Sequence, residues 1–309
     1  MSGENESDLR YIEGKKVLVT GASGFIGSAL ALQLCRDGNE VYGLARFREP
    51  AVRKQLESTG VRLIPMDVRS GRLDDLPGDF DYVFSELAEI RNCEANPEEA
   101  FDINCYFVGR LMQHCRGASG VILASSGAVY LPGSCVWDEN GTIGPRNGYS
   151  TSKFGGEVLG RFLSEIWQIP TCILRYFYPY GPTGGFIRTW AKRIVEGREM
   201  PRYRSHMPRY NPIYISDCIR FTIKATGLCS TPARVINIGG TEELSQAELI
   251  AIISQLSGKE PKFHETEEVP LFWVGDIGLM KRLLGVPDIS LGDGIAKVVQ
   301  ALQTDNFAH

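Results

Sequence analysis

Tyr149 and Lys153 stand four positions apart, so on a helix both project from one face, one turn above the other. A phenol whose ordinary pKa is about 10 carries protons poorly at neutral pH, but a cation beside it stabilises the phenolate and lowers that value. Ser126, at the end of the apolar run Val121-Ile122-Leu123, can hydrogen-bond a carbonyl or alcohol oxygen of a substrate. The three side chains together make a proton-transfer site suited to work beside a hydride carrier. A lone Tyr-x-x-x-Lys pair is a frequent coincidence, so its weight depends on what precedes it in the chain.

What precedes it is Val17-Leu18-Val19-Thr20-Gly21-Ala22-Ser23-Gly24-Phe25-Ile26-Gly27, which reads as a buried strand, a glycine turn and a helix start. That order gathers backbone N–H groups and the positive end of a helix dipole at one spot, which suits a pyrophosphate. Gly21 permits the turn, Gly24 lets backbone approach phosphate, and Gly27 lets the helix pack closely. Cofactor contacts are therefore expected from Gly21, Ser23, Gly24, Phe25, Ile26 and Gly27. A second strand, Val41-Tyr42-Gly43-Leu44, ends in Ala45-Arg46, where an NAD site places a carboxylate and an NADP site a cation. Arg46 therefore points to NADP, with NAD as the alternative. Asp67 ends a third predicted strand, 61–68, from which a side chain reaches towards adenine.

Those residues need a frame. Asp81-Tyr82-Val83-Phe84 reads as a fourth strand followed by Leu87-Ala88; a helix follows Pro97; strand 121–123, a helix from Tyr149 to Trp167 and strand 171–174 complete the alternation. Alternating strands and helices predict an α/β fold, a Rossmann-type doubly wound parallel sheet with a smaller C-terminal substrate-binding cap. The expected divisions are a polar tail (1–13), a dinucleotide-binding domain (14–180, with returns of the chain near 211–240) and mainly cap from 181 to 309. Among the 309 residues, 43% are hydrophobic and 23% charged, ordinary for a globular chain with a large core. A net charge of −4 disfavours nucleic acid as the main partner. The eight cysteines form no C-x-x-C pair, so no metal site is indicated, and no apolar run reaches membrane-spanning length. The expectation is a cytoplasmic protein with no membrane partner.

Taken together these motifs resemble the extended short-chain dehydrogenase/reductase family, from about Lys16 to Ile253. The glycine loop, the serine strand Ser125-Ser126-Gly127-Ala128-Val129-Tyr130 and the helix start Tyr149-Ser-Thr-Ser-Lys153 all match, with later landmarks at 175–182, 214–217 and 237–240. The resemblance implies Ser126, Tyr149 and Lys153 as catalytic residues, adenine contacts from Asp67 and Val68, and an active-site asparagine at Asn104. Leu87, Ala88 and Arg91 would fall at the cofactor. The departures are specific: Glu86-Leu87-Ala88-Glu89 stands where the family usually has His-Leu-Ala-Ala, placing a carboxylate near the cofactor, where Arg91 is expected either to pair with it or to meet a phosphate. Phe107 replaces a glycine, and Tyr178 replaces the asparagine that usually contacts substrate. Ala128 lacks the carboxylate of the family's dehydratases, and Thr183 the histidine of its 3,5-epimerase/reductase branch.

These features leave an NAD(P)-dependent nucleotide-sugar 4-epimerase or 4-keto reductase as the first reading. An NADPH-dependent carbonyl reductase of a non-sugar ketone and a non-catalytic NADP-binding regulator are the alternatives. Arg202, Arg204 and Arg209 in the cap can make bidentate contacts with phosphate, so Arg209 joins Ser126 and Tyr178 as a substrate contact. The helix from Tyr149 carries Phe154, Val158, Leu159, Phe162, Leu163 and Ile166, and the helix after Pro97 carries Phe101, Ile103, Phe107, Val108, Leu111 and Met112. One sheet face cannot cover both sides of each, so a homodimer through these helices is expected.

Overall fold

The computed structural model describes residues 12–203, 208–268 and 270–307. Most of the predicted tail and Arg204 lie outside them. Seven strands form one parallel sheet: β1 (Lys16–Thr20), β2 (Glu40–Ala45), β3 (Arg62–Pro65), β4 (Tyr82–Ser85), β5 (Gly120–Ser126), β6 (Thr171–Tyr176) and β7 (Arg234–Ile238). Their spatial order is β7-β6-β5-β4-β1-β2-β3. The chain runs outward from β1 through β2 to β3, then returns to start again at β4 beside β1. That reversal opens a crevice at the carboxyl ends of β1 and β4, the place where open α/β sheets bind ligands.

Period-two alternation divides the strand side chains between two cores. Val17 and Val19 pack on one face with Leu30 and Leu34 of α1 (Phe25–Arg36). Leu18 packs on the other with Phe107, Leu111 and Leu163. Both faces are covered, which is why Val17, Leu18 and Val19 are apolar in succession instead of alternating with polar residues.

Two local expectations change. β3 stops at Pro65, and Asp67 sits in the turn beyond it, its carbonyl accepting from the N–H groups of Ser70 and Gly71. The helix after Pro97 is interrupted: α-helix Pro97–Phe101 passes into a π turn, Asp102–Tyr106, before α-helix Phe107–His114. Helix Pro50–Thr59, absent from the sequence reading, makes the crossover from β2 to β3.

Beyond residue 180, helices Phe186–Val195, Gln246–Ser257 and Leu291–Phe307 build a separate core around Ile187, Ile194, Leu249, Ile253, Ile295 and Val298. The chain returns to the sheet at β7, the edge strand, paired with β6. Among the described residues no helix is long and apolar enough to cross a membrane.

Candidate functional site

The glycine loop fits its expected task atom by atom. Gly21 has φ +68°, and a Cβ there would lie 2.8 Å from the Leu87 backbone; a Cβ on Gly27 would lie 2.2 Å from the Gly21 carbonyl oxygen. Side chains at these points would push α1 off the turn. Gly24 caps α1 with no side-chain cap bond, so Phe25, Ile26 and Gly27 bring the first-turn N–H groups to a cleft of about 310 Å³ that Gly21, Ser23 and Gly24 also line. Donors, dipole and close backbone approach together fit a dinucleotide pyrophosphate.

Arg46, Asp67, Val68, Leu87 and Ala88 line the same cleft. Arg46 is exposed at the end of β2. The Asp67 carboxylate accepts from Arg69 Nε at 2.9 Å and from the Arg69 N–H at 3.1 Å, while Arg69 also meets Glu99 at 2.5 Å. The Arg69 side-chain bond holds Asp67 well below the usual carboxylate range, and the charge of Arg46 adds to the effect.

At the other end of the cleft, helix Gly148–Trp167 begins with a capping box: Asn147 accepts from the Ser150 N–H at 2.8 Å and its own N–H donates to the Ser150 hydroxyl at 3.1 Å. This fixes Tyr149 in the first turn and Lys153 one turn further. Gly156 lets the helix press on the π turn, since a Cβ there would lie 2.1 Å from the Asn104 carbonyl oxygen. Asn104 is 2% exposed; it accepts from the Glu89 N–H and donates to the Glu89 carbonyl and the Ser152 hydroxyl, each at 2.9 Å. It thus ties the loop after β4 to the catalytic helix.

Ser126 accepts from the Ala128 N–H at 3.2 Å and lines the second cleft together with Tyr149. Lys153 is buried and donates from Nζ to the Ala124 carbonyl. Burial pushes the ammonium down to about 8, with Glu86 and Glu157 opposing. The Tyr149 phenol differs from the expectation: burial raises it, with the Ser126 hydroxyl acting against the rise, while the Lys153 ammonium donates to the Ala124 carbonyl.

A second cleft of about 930 Å³ opens beside the first, and Phe25, Ile26, Ile90, Ser125, Tyr149 and Tyr176 line both. Ser126, Ala128, Thr183 and Tyr178 are in its wall. Tyr178 has φ +51°, accepts from the Trp273 N–H at 2.9 Å, and stands edge-on to Phe186 and Tyr210. Arg91 lines this second cleft and not the first. Nor does its guanidinium pair with Glu89: that carboxylate accepts backbone N–H groups, at 2.9 Å from Arg91. Against the cost of burial, those N–H bonds hold Glu89 below its ordinary value.

The cap arginines are placed differently from expectation. Arg209 pairs with Glu243, also donating to its carbonyl at 2.9 Å, and Arg202 lies over the Phe263 ring at 4.2 Å. The basic wall of the second cleft is formed instead by Arg188, Lys192, Arg193 and Arg198. The first three share a helix, and their spacing was the signal that sequence reading passed over.

A doubly wound dinucleotide fold with a Ser/Tyr/Lys constellation where two clefts meet defines a short-chain dehydrogenase-type enzyme of the extended class. The profile of the NAD dependent epimerase/dehydratase family matches residues 17–239, and the chain belongs to that family. An uncharacterised UDP-glucose epimerase of Bacillus subtilis is 28% identical over 94% of this chain and 98% of its own. A dTDP-4-dehydro-6-deoxy-D-allose reductase of Streptomyces is 26% identical over 90% of each. The crystal structure of UDP-glucuronic acid 4-epimerase from Bacillus cereus, in complex with UDP-glucuronic acid and NAD, superposes with a TM-score of 0.85 at 27% identity, covering 94% of this chain and 99% of that one.

Proposed function

We propose that the protein is a nucleotide-sugar 4-epimerase or 4-keto reductase in which Ser126, Tyr149 and Lys153 move the proton. The observation that carries this reading is that Tyr149 lines both clefts, so one phenol borders the cofactor side and the substrate side. A nicotinamide dinucleotide, when bound in the first cleft, supplies the hydride acceptor or donor. Ser126 holds the sugar oxygen, Tyr149 exchanges the proton with it, and Lys153, one turn along the same helix, supplies positive charge to the cofactor cleft. Ala128, in the wall of the second cleft, gives elimination chemistry no carboxylate.

The wall of Arg188, Lys192, Arg193 and Arg198 remains net positive although Glu196 pairs with Arg198 at 2.8 Å and Lys192 at 3.7 Å, which supports an anionic diphosphate-bearing substrate over an apolar ketone. The non-catalytic reading leaves Ser126 and Tyr149 in one cleft wall and the buried Lys153 behind them without a use. For the cofactor, Arg46 at the end of β2 supports NADP, although the B. cereus enzyme is seen with NAD. The eight cysteines are unpaired, which supports a reducing cytoplasmic compartment. The exposed apolar stripe of helix Gly148–Trp167 supports a homodimer. Incubating the enzyme with each cofactor and a panel of UDP- and dTDP-linked sugars and 4-keto sugars, and following products by mass and chromatography, tests the assignment. Turnover of a non-sugar ketone with none of any nucleotide sugar would replace it.

A further inference from the structure

Glu86 follows β4 directly and lines the cofactor cleft. Its carboxyl opens a chain of three close oxygen pairs: Glu86 Oε1 to the Tyr176 hydroxyl at 3.0 Å, Tyr176 to the Thr222 hydroxyl at 2.9 Å, and Thr222 to the Cys218 carbonyl at 2.8 Å. Each pair needs one hydrogen between its oxygens. Tyr176 and Thr222 own one each, and the carbonyl owns none. With Glu86 as a carboxylate, two hydrogens must serve three contacts. Whichever way the hydroxyls turn, one pair sets lone pair against lone pair in a site where Tyr176 and Thr222 are both buried. With Glu86 as the acid, the carboxyl donates to Tyr176, Tyr176 to Thr222 and Thr222 to the carbonyl, and every contact is made.

We propose that Glu86 carries this third hydrogen and so stands beside Lys153 as a neutral acid, and that its ionisation places a carboxylate there that favours the Lys153 ammonium. Glu86 would thereby act as a positioning residue for charge, working through Lys153. The groups that face it are Lys153 from helix Gly148–Trp167, Tyr176 from β6, and Thr222 with the Cys218 thiol from helix Ile215–Lys224. Burial pushes Glu86 up to about 7, the Tyr176 bond and the Lys153 charge acting against it. Lys153, in turn, is held up by the Glu86 and Glu157 charges against its own burial. Glu157 is already engaged by Arg175, so Glu86 is the carboxyl whose ionisation changes what Lys153 feels.

The consequence for turnover rests on the catalytic reading above; the protonation itself does not, and nuclear magnetic resonance separates the two. In full-length protein with carboxyl-labelled glutamate, the resonance missing from Glu86→Gln identifies Glu86. Its titration should centre near 7. In Thr222→Val it should move down, because the Tyr176 hydroxyl is then free to donate to a carboxylate without conflict. In Glu86→Gln the ε-carbon of Lys153 should titrate at lower pH than in the parent protein, and the alkaline loss of turnover should move with it. A Glu86 midpoint in the ordinary carboxylate range, no change in Thr222→Val, or an unmoved Lys153 would each overturn the proposal.

Discussion

Arg175 donates through Nε to Oε2 of Glu157 at 3.0 Å, with both side chains buried, and the Ser125 hydroxyl donates to the same oxygen at 3.0 Å. Glu157 lies one turn beyond Lys153 on the catalytic helix, Arg175 is on β6 and Ser125 on β5. One ion pair therefore fixes the distance between the helix that carries Tyr149 and the strand end that carries Ser126. Arg175 also donates to the Tyr130 hydroxyl at 2.6 Å, and Tyr130 to Asn237 at 2.8 Å, extending the tie to β7. Glu157→Gln leaves the guanidinium buried without its counter-charge. Breaking such a pair from one side costs about 3–5 kcal/mol, and urea unfolding should show that loss; a change within error would mean the pair is neutral to stability.

Tyr149→Phe removes the phenolic proton carrier while leaving its ring in place. Turnover should fall by at least about 100-fold, the lower range for losing a general acid or base, with cofactor binding by fluorescence unchanged. Substantial remaining turnover would assign the proton to another acid, and Glu86, which lines the same cleft, is the first to examine.

The sheet and the placement of the proposed site residues were legible because they obey local rules. The apolar run of β1 and the three glycines required by close approach at the turn mark the cofactor cleft, and the Tyr149 to Lys153 spacing marks the helix face. What was not legible depends on tertiary position. Arg209 and Arg188 are both cap arginines in sequence, and nothing local says that one meets Glu243 and the other the cleft wall. Helix Pro50–Thr59 is polar enough to carry one buried residue, Leu56, so its apolar signal is weak. The π turn at Asn104 leaves no composition mark, because it follows from pressing that segment against Gly156.

Arg46 provides a test of cofactor choice. If its guanidinium reads a 2′-phosphate, Arg46→Ala should weaken NADP binding by about 1–3 kcal/mol, the range for a charge-assisted hydrogen bond. NAD binding should hardly change. Calorimetry with both cofactors decides it, and equal losses for the two would remove Arg46 from the 2′ position.

Assembly depends on what the single chain leaves uncovered. The helix after Pro97 spends its apolar set internally: Ile103, Phe107, Val108, Leu111 and Met112 are all buried, and Tyr106 is the exposed one at 59%. On helix Gly148–Trp167, Leu163 is buried and Leu159 packs against the core, but Val158, Phe162 and Ile166 are exposed by 50%, 57% and 52%. These three recur every four residues, so they form one stripe along the helix. Scattered exposed apolar residues are ordinary; an aligned stripe marks a contact surface. A two-fold axis beside it would bring two copies of the stripe together. Light scattering at micromolar concentration should give twice the 34.2 kDa chain mass, and Phe162→Glu should return the single-chain mass without loss of cofactor binding. A strict monomer before any substitution would refute the dimer.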